Sequence, residues 1–276
     1  MFEVLIDQFW SLTIAGVALG FIYVLVSLGY TMVYGVLRMI NFANSEIFMW
    51  GTFGTIITSR DIFGYTQTSA PATGPKLALV LISQLLMSMA VAGLTAVFVE
   101  YVAYRRLRAK GTNRLATLIS AIGISIVLSE LMRLLTDSRP VGSPRVLEKI
   151  ILGEVWGANL RLDTIVTIFA AAGIYFLLER FVKLSRMGKA IRAVSMNEDA
   201  AKLMGVNLNR VITTTFLVGG LATGAAAFFY ITVFEYTKFN IGFTMGMAAF
   251  TAAVLGGIGN IRGAFYGGLF LGLLEV

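Results

Sequence analysis

The chain has 276 residues, of which 57% are hydrophobic and only 13% charged, with a mean hydropathy of +0.82. Soluble domains carry about a quarter charged residues, and a soluble fold this apolar would expose large sticky patches, so the composition fits lipid as its solvent. There is no cysteine and no histidine, which excludes disulfides, thiolate chemistry and the commonest general base and metal ligand; the net charge of +7 sits between apolar runs, where it orients membrane segments and is no sign of nucleic-acid binding.

The amino end, Met1-Phe2-Glu3 with Asp7, is acidic, so no cleavable signal peptide is expected. Six apolar segments follow, at about 12–34, 41–59, 77–99, 115–135, 163–182 and 211–234. Each approaches the roughly 20 residues needed to cross the hydrocarbon core. A seventh region, about 243–275, is apolar but interrupted by Gly256, Gly257, Gly259, Asn260, Arg262 and Gly263. This cluster divides it into two shorter helices or a re-entrant element, since irregular backbone at membrane depth must be buried in protein or line a wet cavity. The expectation is an all-α integral membrane protein of about 7–8 spans with a broken, glycine-rich late segment.

The loops set the orientation. Arg105, Arg106, Arg108, Lys110 and Arg114 follow the third segment, and Lys183, Arg186, Lys189, Arg192, Lys202 and Arg210 follow the fifth. Positive excess marks the cytoplasmic side, so the 100–114 and 183–210 loops are inside. The 136–161 loop, of mixed charge, is outside, and counting back puts the amino end outside and Arg38 inside. The external 60–76 stretch reads as irregular, with Gly64, Pro71, Gly74 and Pro75; the 145–162 stretch reads as a small hairpin.

Three groups of residues stand out. In the first segment Gly16, Gly20, Tyr23, Ser27, Tyr30 and Tyr34 recur at spacings of three and four, on one helical face. That face is either a helix–helix seam, where small residues permit close approach, or the wall of a polar path. The second segment opens with Asn41, Asn44, Ser45 and Glu46. If helical from the start, Asn41, Asn44, Ser45, Thr52 and Thr55 share a face and Glu46 points away from it. Glu46 either caps the helix, where the dipole favours an acid, or is a functional intramembrane carboxylate. In the inner loop, Asn197 reads as an N-cap, Glu198 and Asp199 as an acidic first turn, and Gly205 as the stop. The short helix between them displays Ala200, Ala201, Leu203 and Met204; so short a helix needs packing to persist, which points to a partner. No GxxxxGKS or GxxxxGKT phosphate loop and no HExxH motif is present, so the chain is not expected to hydrolyse ATP or to be an enzyme.

These residues resemble one family. Gly20 to Gly29 and Tyr34 to Ala43 look like the start of the branched-chain amino acid ABC permeases of the LivH type, Arg192 to Gly205 resembles that family's ATPase-coupling loop, and Ala253 to Asn260 with Gly263-Ala264 resembles its glycine-rich late segment. The matches run in order over nearly the whole chain. Where the family usually has histidine and glycine, this chain has Asn44 and Ser45, so a protonation role there is not expected. The family also usually continues past the position of Val276. The resemblance implies a single transmembrane permease domain in the bacterial inner membrane, paired with a second, homologous permease. It implies two cytoplasmic ATPase subunits that use the ATP, no cofactor on this chain itself, and an external or periplasmic binding protein. Branched-chain amino acids are the first substrate expected; related permeases carry urea, other amino acids and amides. Tyr23, Ser27, Tyr30, Asn41, Asn44, Ser45 and Glu46 are the candidates for the path, and Asn197 to Ala201 with Leu203, Met204 and Gly205 for coupling. An ATP-independent carrier or channel, needing no coupling helix, and a structural subunit without its own path are the alternatives from other classes.

Overall fold

A helix that is apolar on every side has to be surrounded, and the first helix meets that condition. In a computed structural model of the chain, which describes residues 2–110, 114–155 and 158–276, helix α1 (Phe2–Leu37) is the axis of the bundle. Every residue from Phe21 to Val33 is buried. After an irregular stretch come α2 (Asn44–Ile57) and a π-helical turn, Thr58–Ile62. Helix α3 (Gly74–Val99) passes through a π-helical segment, Glu100–Arg105, into α4 (Arg106–Ala109). Helix α5 (Arg114–Leu135) leads to β1 (Val141–Gly142) and the hairpin of β2 (Ile151–Val155) and β3 (Ala158–Arg161). Then follow α6 (Leu162–Leu184), α7 (Arg186–Met196), α8 (Glu198–Leu203) and α9 (Leu208–Phe234). Strand β4 (Tyr236–Thr237) precedes α10 (Ile241–Leu255) and α11 (Ile261–Glu275).

Five of these helices are long and apolar enough to cross a membrane: Gln8–Leu37, Gly74–Arg108, Leu115–Leu135, Leu162–Leu184 and Leu208–Phe234. Helices α2, α10 and α11 have 14, 15 and 15 residues. At 1.5 Å per residue each extends only about 21–23 Å, short of the roughly 30 Å hydrocarbon core. The polytopic helical bundle expected from the sequence is therefore present, with its spans divided between full-length and short helices.

Small residues set the distances between helices. A Cβ on Gly16 would lie 2.9 Å from the Gly272 carbonyl oxygen of α11, and one on Gly20 would lie 3.2 Å from the Gly268 carbonyl oxygen.

 Gly20 thus rests on Gly268 and Leu269, and Gly16 on Gly272 and Leu273. On the other side of α1, Gly29 meets Thr223 and Asn44, and Gly219 of α9 lies against the Gly29 backbone. Without a hydrophobic force between helices in lipid, such close approach supplies the packing. One hydroxyl joins three helices: Ser88 Oγ of α3 lies 2.9 Å from the Gly51 carbonyl of α2 and 2.7 Å from the Gly224 carbonyl of α9.

The glycine-rich late segment does break into two helices, α10 and α11, joined by a turn in which Gly257 and Gly259 have φ of 83° and 95°. On either side of that turn, Gly256 and Gly263 touch backbone to backbone, and a Cβ on either would run into the other's carbonyl oxygen.

The two ends of the bundle differ. At one end Arg38, Arg108, α7, α8 and the start of α9 come together, through Arg38 to the Ser195 carbonyl and Arg108 to Asn209. These are the basic segments expected inside; the apex of the 100–114 loop, at 111–113, lies outside the described residues. At the other end, Arg60 donates to the Gly142 carbonyl (2.8 Å), β1 pairs with β4, and Arg145 and Lys149 hold Glu235 at 3.0 and 2.8 Å. Burial pushes the Glu235 carboxyl up, but its bonds to Arg145 and Lys149 outweigh this and hold it below the usual carboxylate range.

Two predictions follow from this architecture. Because the chain has no cysteine, Thr68→Cys and Asp199→Cys report sidedness without background. A membrane-impermeant maleimide should label the first in intact cells and the second only after permeabilisation; labelling of both from outside would reverse the orientation argued from charge. In the second, Gly263→Ala should destabilise the detergent-solubilised protein by about 1–3 kcal/mol, the usual cost of overpacking. Gly123→Ala, at a mid-helix site of α5 with open space around it, should be neutral or stabilising by up to about 1 kcal/mol. Thermal unfolding of the two variants checks the contrast.

Candidate functional site

Helix α2 does not begin where an unbroken helix from Asn41 would put it. Residues 38–43 are irregular, and the first helical residue, Asn44, lies beside Gly29, well inside α1. The entering strand is nonetheless satisfied: Asn44 N donates to the Asn41 carbonyl (3.1 Å), and Ile47 N to the Ala43 carbonyl (3.0 Å). Irregular backbone at this depth survives because protein encloses it; Asn41 and Ala43 are buried.

The polar residues at this entrance point in different directions. Asn41 Oδ1 accepts from the Tyr104 hydroxyl of the π-helical segment (3.1 Å). Asn44 Nδ2 donates to the Val26 carbonyl of α1 (3.2 Å), and its Oδ1 lies 3.3 Å from the Thr223 hydroxyl of α9. Ser45 donates to the Phe42 carbonyl (2.7 Å) and packs against Gly242 and Gly246 of α10. Glu46, 4% exposed, has Oε1 3.4 Å from Ser45 Oγ and 3.5 Å from Ser125 Oγ of α5, both long for hydrogen bonds. Its Oε2 faces Gly242 and has no partner, and neither has Asn41 Nδ2. The expected shared face of Asn41, Asn44 and Ser45 is therefore spread over three neighbours, because Asn41 precedes the helix.

The α1 face is occupied along its length. Tyr23 donates to Glu275 Oε2 (2.6 Å), and Ser27 lies 2.8 Å from its own Val24 carbonyl and 3.4 Å from Ala264 of α11. The Tyr30 hydroxyl sits beside Gly246, and the Tyr34 ring beside Gly259. In this structure the face is a seam covered by the α10–α11 hairpin.

At the end that carries the basic segments, α8 is capped at both ends by its own sequence. Asn197 Oδ1 accepts from Ala200 N (3.0 Å). Past the other end, Gly205 takes φ of 81° and donates to the Lys202 carbonyl, while Val206 N donates to the Ala201 carbonyl (3.0 Å). This double closure needs a left-handed residue, which glycine supplies most cheaply. Leu203 and Met204 are 88% and 84% exposed, and Glu198, Asp199 and Ala200 also face out. Ala201, by contrast, is buried with Ile191, Val194, Val211 and Ile212. It belongs to the anchored side of the helix, not to the outward side. Lys202 pairs with Glu198 at 2.8 Å.

Several partners escaped the sequence reading. Tyr104, Thr223, Ser125 and Glu275 each sit in or beside an apolar run far from the residue they meet, so nothing local marks them. The exposed Met196 next to the α8 cap had a signal, an apolar residue at the end of a basic segment. Among the described residues no three potential metal ligands are grouped.

Comparison with known proteins identifies the chain's relatives. Residues 12–276 match the family model described as the permease component of branched-chain amino acid transport systems. BraD of Pseudomonas aeruginosa, a high-affinity branched-chain amino acid transport system permease protein, is 37% identical over 263 residues, covering 94% of this chain and 83% of BraD. LivH of Escherichia coli K12, of the same description, is 38% identical over 270 residues, covering 94% of this chain and 82% of LivH. The guanosine ABC transporter permease NupP of Bacillus subtilis 168 is 31% identical over 125 residues, 43% of this chain and 35% of NupP. Matched over nearly its whole length and built of helices suited to lipid, the chain belongs to the branched-chain amino acid transport permease family, and is a membrane-spanning transport subunit and not an enzyme.

Proposed function

We propose that this chain is one of two permease subunits of an ABC importer that moves branched-chain amino acids inward across the bacterial inner membrane. Two cytoplasmic ATPase subunits power it and an external binding protein delivers the solute. The observation that supports this reading is α8, a short helix closed at both ends, with Leu203 and Met204 exposed beside the basic segments of one end. A carrier that needs no ATPase has no use for such a surface. The substrate assignment rests on BraD and LivH, whose names specify branched-chain amino acids.

The mechanism follows from rigidity. ATP binding moves the ATPase subunits, and the motion reaches the membrane only through a contact that does not yield. Asn197, Glu198, Asp199, Ala200, Leu203 and Met204 form the docking surface. Ala201 anchors the helix to the bundle, and Gly205 turns the chain into α9, which lies against α1. Exposed ion pairs contribute only about 0–1 kcal/mol, whereas burying a leucine or methionine contributes about 1.5–3 kcal/mol; apolar fit therefore dominates docking.

The path runs past the start of α2. Ser45 and Glu46 come first, because Glu46 reaches the half-buried Ser125 on the loosely packed α5 and Ser45 lies beside the Glu46 carboxylate. Tyr30, Asn41 and Asn44 form the wall behind them. Tyr23 and Ser27 join the path when the α10–α11 hairpin moves off α1. The unpartnered Glu46 Oε2 is available to the ammonium group of a passing amino acid, while apolar walls accept its side chain.

Two experiments test these assignments. The double variant Leu203→Glu with Met204→Glu should lose the ATPase subunits on purification, with substrate-stimulated ATP hydrolysis down at least tenfold, about the 1.4 kcal/mol of one buried apolar side chain. Glu198→Gln should change either by less than about fivefold, the upper end for an exposed pair of about 0–1 kcal/mol. Wild-type retention by the double variant would refute the coupling role. For the path, Glu46→Gln keeps the shape and removes the charge. Assembly should persist and the initial rate of leucine uptake should fall about tenfold or more, the size of one charge-assisted hydrogen bond of roughly 1.5–3 kcal/mol. Unchanged uptake would leave Glu46 as packing only.

A further inference from the structure

Arg38 stands just past the end of α1 with φ of 52°, in the left-handed region. Its amide donates to the Tyr34 carbonyl (2.7 Å) and closes the helix. Glycine is the usual residue at such a position, because a side chain there is strained. A strained residue that persists directs attention to what its side chain does. Here the guanidinium leaves α1 and donates from Nη2 to the Ser195 carbonyl at 2.9 Å. Ser195 is in the last turn of α7, where helix carbonyls are unsatisfied and carry partial negative charge. Two residues further, Asn197 caps α8. One hydrogen bond thus joins the end of the central helix to the α7–α8 joint. A cavity of about 320 Å³ separates the two ends, lined by Leu37, Arg38, Val194, Ser195, Met196 and Glu198. The bond adds a polar, directional link to the apolar contact that Val36 of α1 makes with the cluster holding Ile191 and Val194 of α7.

We infer that Arg38 is a positioning residue that makes α1 follow the α7–α8 joint, so that movement of the docking surface reaches the helix beside the path. The inference rests on the coupling role proposed for α8. It turns a motion delivered at α8 into an axial pull on α1, in parallel with the covalent route through Gly205 and α9.

The test uses the full transporter in proteoliposomes, with leucine as the transported probe, and compares Arg38→Gly, Arg38→Lys and the Leu203→Glu/Met204→Glu double variant. Three quantities are read: ATPase-subunit retention, melting temperature, and leucine taken up per ATP hydrolysed. Arg38→Gly suits the left-handed backbone, so the complex should assemble and melt no lower than wild type, while uptake per ATP falls about tenfold, within the ordinary range of coupling between sites. Arg38→Lys, which can still donate to the carbonyl, should recover at least half of the loss. The inference is overturned if Arg38→Gly keeps wild-type uptake per ATP. It is equally overturned if that variant loses its ATPase subunits or melts lower, which would make Arg38 a structural anchor, or if lysine restores nothing. Full retention and full coupling in the Leu203/Met204 variant would instead sink the coupling role of α8 itself.

Discussion

The fold depends on how closely other helices can approach α1. Lipid tails are as apolar as leucine, so burial alone gives helices no reason to associate. Contact distance has to supply it. Gly16 and Gly20 admit the α11 backbone on one side, and Gly29 admits Gly219 and the Asn44 amide on another. Once those contacts are made, α1 is enclosed and its neighbours are fixed around it. The short helices α10 and α11 are held to the bundle by the same device, and their own turn closes through Gly256 and Gly263.

Polar groups then set rotation and depth. An unpaired hydroxyl or amide in hydrocarbon costs several kcal/mol by transfer measurements, roughly 2–7, so each buried one selects an arrangement that satisfies it. Ser88 selects the meeting of α2, α3 and α9, and Asn44 selects the meeting of α2, α1 and α9. Thr52 and Thr237, 2.7 Å apart, tie α2 to the strand that leads into α10. Among the buried polar atoms of the described residues left without a partner, which include Thr31 Oγ1, Asn41 Nδ2 and Thr167 Oγ1, Glu46 Oε2 is the carboxylate oxygen.

Much of this was legible in the sequence, in an uneven way. The basic loops, the apolar runs and the broken 243–275 segment depend on composition and on glycine, which are local properties, and they translate directly into helices and their ends. The caps at Asn197 and Gly205 are local too. What a face touches is not local. The Gly16-to-Tyr34 face was visible from its period, but only the fold puts α11 against it. Helix α2 starts at Asn44 and not at Asn41, whose side chain meets Tyr104, about sixty positions away in the chain. Ala201 was expected on the docking side and lies on the anchored side, because its neighbours Val211 and Ile212 come from the next helix. Helix α7 hid inside a basic loop, its apolar Met187, Ile191 and Val194 at helical spacing interleaved with Arg186, Lys189 and Arg192.

The end of the bundle opposite the basic segments carries a consequence for how the molecule changes shape. Arg60 binds the Gly142 carbonyl, β1 binds β4, and Glu235 is clasped by Arg145 and Lys149. These bonds link the far ends of α2 and α9 to the loop between α5 and α6. A tilt of α2 or α9 at this end therefore either breaks these bonds or carries with it the loop that holds Gly142, Arg145 and Lys149.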